Sequence, residues 1–420
     1  MLRFFEKLPA LGGRLPTLLA AYWPLLVLAA VLAGAAWATV AWRRARAGAL
    51  AVARGRWVEV QPPPGGTRAE DAERFWLGMA ELLRGRRRGW LPLVGFEYLW
   101  HAGSLSLRVW VPGPVAAGAV REVAESAWPG SVTRVMVAGV AGGSSDDTAV
   151  AMARFGVTAA GGFLAVSGGR DWLPLRTDHK DDPLRALFGL GSYLGMSDAV
   201  LVQVLARPAR AGRVARARKG AAGGPGSAGG VALGGALRLV SGLLDGLEFM
   251  LSSGHGPGSP AGGTTAGRDG TDAALGRAAV RKLAGPPHFE VAVRYLAVVP
   301  DLSRAEGQAR AGRLRDRLAA RFAVFSGEMG VRGARLRRPA RVLGRRRLAS
   351  GFLATTGELA ALAHLPYDPG TVPGLHVAGA RPVLPPAGVL LAGPDGWDGP
   401  DGWGDGWDGA GDDRDGGDDE

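Results

Sequence analysis

The sequence predicts an α+β protein. It reads as an N-terminal transmembrane helix, then two ferredoxin-like (split βαβ) sandwiches with long disordered insertions, and an acidic disordered tail. Three observations carry this. Residues 17–42 hold no charged side chain. Segments of period 2 and period 3.6 then follow one another twice in the sense of a β-α-β-β-α-β unit. Between and after them lie tracts rich in Gly, Pro, Arg or Asp, without apolar periodicity.

The first element is TLLAAYWPLLVLAAVLAGAAWATVAW, 26 residues. A helix needs about 20 apolar residues to cross the hydrocarbon core. Tyr22, Trp23, Trp37 and Trp42 lie toward its ends, where amphipathic rings favour the headgroup zone, and Pro24 is tolerable in such a helix. Arg43, Arg44, Arg46, Arg54 and Arg56 follow with no acid before Glu59, whereas only Arg3, Lys7 and Arg14 precede it, offset by Glu6. This asymmetry predicts a single-pass membrane protein with a short extracytoplasmic segment (1–16) and a cytoplasmic body, and the heavy use of Ala, Gly, Arg and Pro, as in a GC-rich bacterial genome, points to the bacterial plasma membrane. A cleaved signal sequence has a shorter apolar region and no arginine cluster behind it.

The first sandwich spans residues 56–138. A strand over 56–61 precedes Pro62-Pro63-Pro64. Thr67 and Glu70 have capping-box spacing, ahead of a helix with Ala72, Phe75, Trp76, Met79, Leu82 and Leu83 on one face. Val94, Phe96, Tyr98 and Trp100 share one face of a strand, and Leu105, Leu107, Val109 and Val111 one face of the next, with Ala102-Gly103 as the hairpin turn. A helix over 114–127 ends at Trp128-Pro129-Gly130, and a strand over 132–137 completes the unit.

The second sandwich spans 158–366. A strand near 163–167 leads to Asp182-Pro183, an N-cap followed by Pro at the first helical position. Residues 199–206 are nearly continuous apolar sequence, as in a strand buried on both faces. Residues 207–230 and 252–270 read as patternless mobile insertions, and the apolar run 231–251, broken by Arg238, Asp245 and Glu248, as an amphipathic helix. A strand over 289–299 follows. Ser303 and Glu306 cap a helix with Leu314, Leu318, Phe322 and Phe325 inward, and a last strand is expected near 340–348. Residues 367–393 read as a Pro/Gly-rich linker.

The net charge of +12 is uneven: eleven acidic residues against one arginine from 394 onward leave about +22 on the rest. A basic body beside a membrane suits acidic lipid or nucleic acid. The basic runs are Arg84 with Arg86, Arg87 and Arg88; Arg213, Arg216, Arg218 and Lys219; and Arg337, Arg338, Arg345, Arg346 and Arg347. They hold few aromatic side chains for base stacking. The chain has no Cys, which excludes disulfides and thiol chemistry. Its histidines are scattered, no G-x-x-x-x-G-K-[ST] or G-x-S-x-G occurs, and the Asp spacing of the tail fits no calcium loop. The DHKDD stretch around Asp182 reads as exposed capping residues. Composition and motifs thus indicate neither enzyme nor cofactor.

Several stretches resemble one family. VEVQPPP, AERFWLGMAELL, FEYLW, LSLRVWVPGPV and VREVAESAWPG in the first half, and TDHKDDPLRALFGL and DAVLVQVLARPAR in the second, are similar to the region behind the membrane anchor of actinobacterial type IV secretion and conjugative DNA transfer ATPases. GFLATTGELAALAHLPYDP resembles the segment ahead of their motor. Asp182, Pro183, Glu358, Leu359, His364, Leu365 and Pro366 stand at matching positions. The resemblance implies a homo-oligomeric scaffold or assembly component that positions a motor or channel subunits. Without the family's P-loop, it implies no ATP hydrolysis by this chain. Two other readings remain: a nucleic-acid-binding membrane protein, with DNA as partner of the Arg runs, and a truncated, inactive fragment of a secretion ATPase.

Overall fold

The computed structural model describes residues 15–84, 93–137, 158–166, 170–222, 268–285, 287–299, 303–348 and 351–379. The chain divides into two compact units, Met1–Ala378 and Gly379–Glu420. Of the second, only Gly379 is described. The apolar run 231–251, the 252–267 part of the second insertion, Arg86, Arg87, Arg88 and the acidic tail lie outside the described residues.

The first unit is mixed α+β, built on one antiparallel sheet. Helix α1 (Leu15–Ala53) contains the whole apolar run and continues past it. Among the described residues no helix is long and apolar enough to cross a membrane. The side chains at 15–26, 29 and 30, a large part of the run, are not among those described. Strand β1 (Arg56–Gln61), helix α2 (Ala69–Arg84), hairpin β2 (Val94–His101) and β3 (Ser104–Val111), helix α3 (Ala117–Ala127) and strand β4 (Val132–Val137) form the first half. The second half holds β5 (Thr158–Val166), a short α4 (Arg185–Phe188) running into a 3₁₀ turn (Gly189–Tyr193), and β6 (Ala199–Pro208). Helices α5 (Ala211–Ala222) and α6 (Arg268–Ala284) follow, then β7 (His288–Val299), α7 (Arg304–Arg321), β8 (Val331–Leu336), α8 (Pro339–Gly344), β9 (Phe352–Thr355) and α9 (Thr356–Leu362).

The strand order is β4-β1-β3-β2-β6-β7-β5-β8, with β9 added alongside β7. Each half contributes four strands in the same internal order, mirrored across the β2–β6 seam. The halves were expected as separate sandwiches, and the structure joins them in a single sheet. At the seam Val94 pairs with Ala206 and His101 with Ala199. Eight residues of seam ladder leave neither strand as an open edge, which explains why both are buried along almost their whole length.

One face of the sheet carries the main core: Phe75, Trp76, Phe96, Tyr98 and Trp128 in the first half, and Phe188, Phe289, Tyr295, Phe322 and Leu359 in the second. The other face carries a smaller cluster of Leu99, Phe163, Leu201, Leu296, Leu336 and Leu343.

Several local expectations are corrected. No strand forms over 340–348: β8 is Val331–Leu336, the 340–348 region begins as helix α8, and β9 follows at Phe352–Thr355. Pro339 cannot donate to a ladder but suits a first helical turn. The basic stretch from 207 is not wholly a loop: Ala211–Ala222 is helical, because Val214, Ala217 and Ala221 fall on one face against Leu283, Leu353 and Trp172. Thr67 does not cap α2. Its hydroxyl donates to the carbonyls of Leu365 and Pro366 at 3.1 and 3.0 Å, so a distant segment outcompetes the local turn. The linker from 367 is folded at its start: Leu375 bridges to Leu105, and the Ala378 N–H donates to the Pro62 carbonyl at 2.9 Å.

Candidate functional site

The motif residues 355–367 converge on the main-core face, where they fasten the two halves together. Helix α9 begins with a complete capping box: Thr355 Oγ1 accepts the Glu358 N–H, and the Glu358 carboxylate accepts the Thr355 N–H at 2.8 Å. Being buried, that carboxylate serves twice more. It accepts the Leu175 N–H at 2.7 Å and pairs with Lys282 of α6 at 3.0 Å. Lys282 is buried and also donates to the Leu173 carbonyl at 2.8 Å. Burial lowers the Lys282 pKa against the opposing pull of Glu358.

Beyond α9 the chain turns toward the first half. Trp76 Nε1 donates to the Ala363 carbonyl at 2.8 Å. Tyr98 Oη donates to the His364 carbonyl at 2.9 Å and accepts the His364 N–H at 3.0 Å. His364 is buried, with Nδ1 3.0 Å from the Ala360 carbonyl and Nε2 3.0 Å from Asp182 Oδ1. Both ring nitrogens thus face acceptors. Asp182 also accepts the N–H groups of Leu184 and Tyr367 at 2.8 and 3.0 Å. Burial alone would raise its pKa; the bonds to His364, Tyr367 and Leu184 prevail and hold it below the ordinary carboxylate value. Asp182 is therefore not an exposed cap of a long helix, since α4 has only 4 residues and starts at Arg185. Leu359 and Leu365 fill the core beside it, and Pro183 is buried.

The opposite face holds a second polar constellation. Cross-strand pairing sets Arg134, Glu59, Arg108, Glu97, Gln203 and Arg294 side by side across six strands. At its centre Glu97 is fully buried. It meets Arg108 at 3.3 Å, Arg346 at 3.0 Å, Gln203 Nε2 at 2.8 Å and Trp57 Nε1 at 2.9 Å. Arg346 lies over the rings of Trp57 and Trp110, at 4.9 and 5.1 Å from their centroids. Burial disfavours the Glu97 carboxylate, yet Arg346 and Arg108 outweigh it and lower its pKa from 4.5 to about 2. Arg294 donates to the Val342 and Arg347 carbonyls, and burial lowers its pKa to about 10.

The expected basic binding residues are dispersed. Arg84 pairs with Glu81 at the end of α2, Arg213 with Asp171, and Arg218 donates to the Leu283 carbonyl at 3.0 Å. Arg346 is interior, so it is no surface cation. Arg216, Lys219, Arg337, Arg338 and Arg347 are exposed, and Arg345 is half-buried. The resemblance singled out Asp182, Glu358 and His364 but not Tyr98 and Lys282, which bind His364 and Glu358, nor Trp76, which holds the Ala363 carbonyl, nor Glu97. The alternation around Phe96 and Tyr98 puts Glu97 on the other face, where a charged residue would ordinarily be solvated.

Residues 49–371 match the family described as Domain of unknown function (DUF8128). No curated protein matches the sequence.

Proposed function

The chain belongs to the DUF8128 family, and from its sequence and geometry we propose that it is a membrane-anchored scaffold or assembly component of a type IV secretion or conjugative DNA transfer system. In this reading it performs no reaction of its own and positions a motor or channel subunits. The observation that carries the anchor is the exposure of α1. Val27, Leu28, Val31, Leu32, Trp37, Val40 and Trp42 are open, and every side chain from 31 to 40 is exposed around the helix. An apolar helix left open on all sides loses about 25 cal/mol for each Å² kept in water. A bilayer removes that cost, and the arginines behind the run favour a cytoplasmic body.

The helix joins the body firmly. The Gly113 N–H donates to the Ala51 carbonyl at 3.0 Å, and Gly55 lies so close to Trp110 that a Cβ would fall 2.5 Å from its indole nitrogen. The mirrored strand orders support a pair of ferredoxin-like halves fused along β2 and β6. The secretion assignment rests on the resemblance of segments 58–64, 72–83, 96–100, 105–115, 120–130, 177–190, 198–210 and 351–369, many of whose apolar residues lie in the main core.

Membrane flotation of the full chain should place it with lipid. Recovery in the soluble fraction, or labelling of the 43–56 segment from outside intact cells, would overturn the anchor. Affinity purification from a conjugating host should recover secretion components, and their absence would count against the assembly role. A nucleic-acid reading draws on exposed Arg216 and Lys219 of α5. It requires a steep loss of single-stranded DNA affinity with salt, and a flat response ends it.

A further inference from the structure

The sheet has two distinct ends. Helix α1 enters at the first residue of β1, where Arg56 pairs with Val111. The opposite end holds Gln61, the β2–β3 hairpin tip and the start of β6 at Ala199. The 3₁₀ turn ending at Tyr193 and the segment leading into β6 lie at this far end. Met196 Sδ packs 3.3 Å from the place a Cβ on Gly103 would occupy in the hairpin tip. Asp198 there receives Arg310 of α7 at 2.5 Å.

Beside this clamp sits a patch that the core does not use. Tyr193 is 55% exposed and Met196 is 71% exposed. The guanidinium groups of Arg317 and Arg321 lie 5.1 and 5.9 Å from the Tyr193 ring centroid. Arg313 is exposed one turn earlier on α7. Contact with two arginines narrows the freedom of the exposed ring before any partner arrives, which reduces the ordering cost of binding. Aromatic, Met and Arg side chains are the types enriched where proteins meet.

We propose that the Tyr193–Met196 turn and the Arg313–Arg317–Arg321 face of α7 form a docking surface for an acidic protein segment carrying an apolar anchor. Its carboxylates would pair with Arg313 and Arg317, and its anchor would cover Tyr193 and Met196. The open apolar surface of Tyr193 and Met196 favours such a segment over a phosphate polymer, whose backbone would leave that surface in water. The surface deepens the scaffold reading: in an anchored protein this end points away from the bilayer, where a subunit to be positioned would sit.

The test uses the full chain in detergent micelles and a fluorescent 14-residue peptide of alternating Glu and Leu with one Trp. Its Gln counterpart and an oligo-dT strand of equal charge serve as comparisons. Fluorescence anisotropy should show that the acidic peptide binds, weakens with salt, and loses affinity at least tenfold in both Tyr193→Ala and Arg317→Glu. Arg121→Glu, on α3 of the other half, should leave binding unchanged, and all variants should melt as the parent does. The surface is refuted if the acidic peptide does not bind, if the two patch variants bind it like the parent, or if oligo-dT binds more tightly and is lost in the same variants. Peptide binding in a protein that fails to float with membranes would refute the anchor alone; flotation without peptide binding would refute this surface alone.

Discussion

At the residue scale, the chain concentrates ionisable groups where water does not reach. Glu97 is held as an anion by two guanidiniums, a glutamine amide and an indole N–H. Removing one partner of a buried ion pair costs about 3–5 kcal/mol, because the charges left behind stay buried. Glu97→Gln should therefore lower the melting temperature sharply, as calorimetry would show. The pH sense follows from the depressed value. The carboxylate contributes stability above its unfolded pKa near 4.5 and loses it as pH falls toward about 2. Asp182, also depressed, acts in the same direction. The parent should lose stability progressively below about pH 4.5, and Glu97→Gln should flatten that slope. Asp182→Asn should cost about 1–3 kcal/mol, since Nε2 of His364 then loses its anionic acceptor. A denaturant midpoint equal to the parent's would contradict a stabilising Asp182–His364 contact.

At the element scale, period and caps made most helices and strands readable. Strands β1 and β4 fall where alternation places them, and α7 starts at Ser303, whose side chain accepts the Glu306 N–H. The failures share a cause: a partner distant in sequence. Helix α5 was hidden because its sequence is dominated by Arg, Gly and Ala, and its apolar face is completed only by Leu283 and Leu353. Thr67 has a good local cap pattern but serves carbonyls about 300 residues away. Thr355, in contrast, caps the helix its sequence specifies. Thr355→Ala should cost about 1 kcal/mol and loosen the Glu358 carboxylate beside Lys282, seen as faster amide exchange at Leu175. Gly161 permits a close approach: a Cβ there would lie 2.4 Å from Pro339 Cβ, so Gly161→Ala should displace α8 and destabilise β5.

At the scale of the whole molecule, the β2–β6 seam and the 363–367 latch work on the same problem. The seam joins the halves through backbone hydrogen bonds, while Trp76, Tyr98 and Thr67 of the first half grip the motif segment of the second. Because both connections cross one continuous core, the halves should unfold together. Calorimetry of the body should give a single transition, with the amides of β2 and β6 among the slowest to exchange. Two well-separated transitions would mean independent halves.

By itself, the sequence determined the α+β class, the long N-terminal helix and the succession of strands and helices in the first half. Those features follow from spacing within about twenty residues, and such short-range patterns survive in a linear string. Only the tertiary structure decided that the two halves share one sheet, that Glu97 and Arg346 are interior, and that Tyr193 meets Arg317. Strand edges pair by proximity in space, and a buried charge is tolerable only when its counter-charge arrives from elsewhere in the chain.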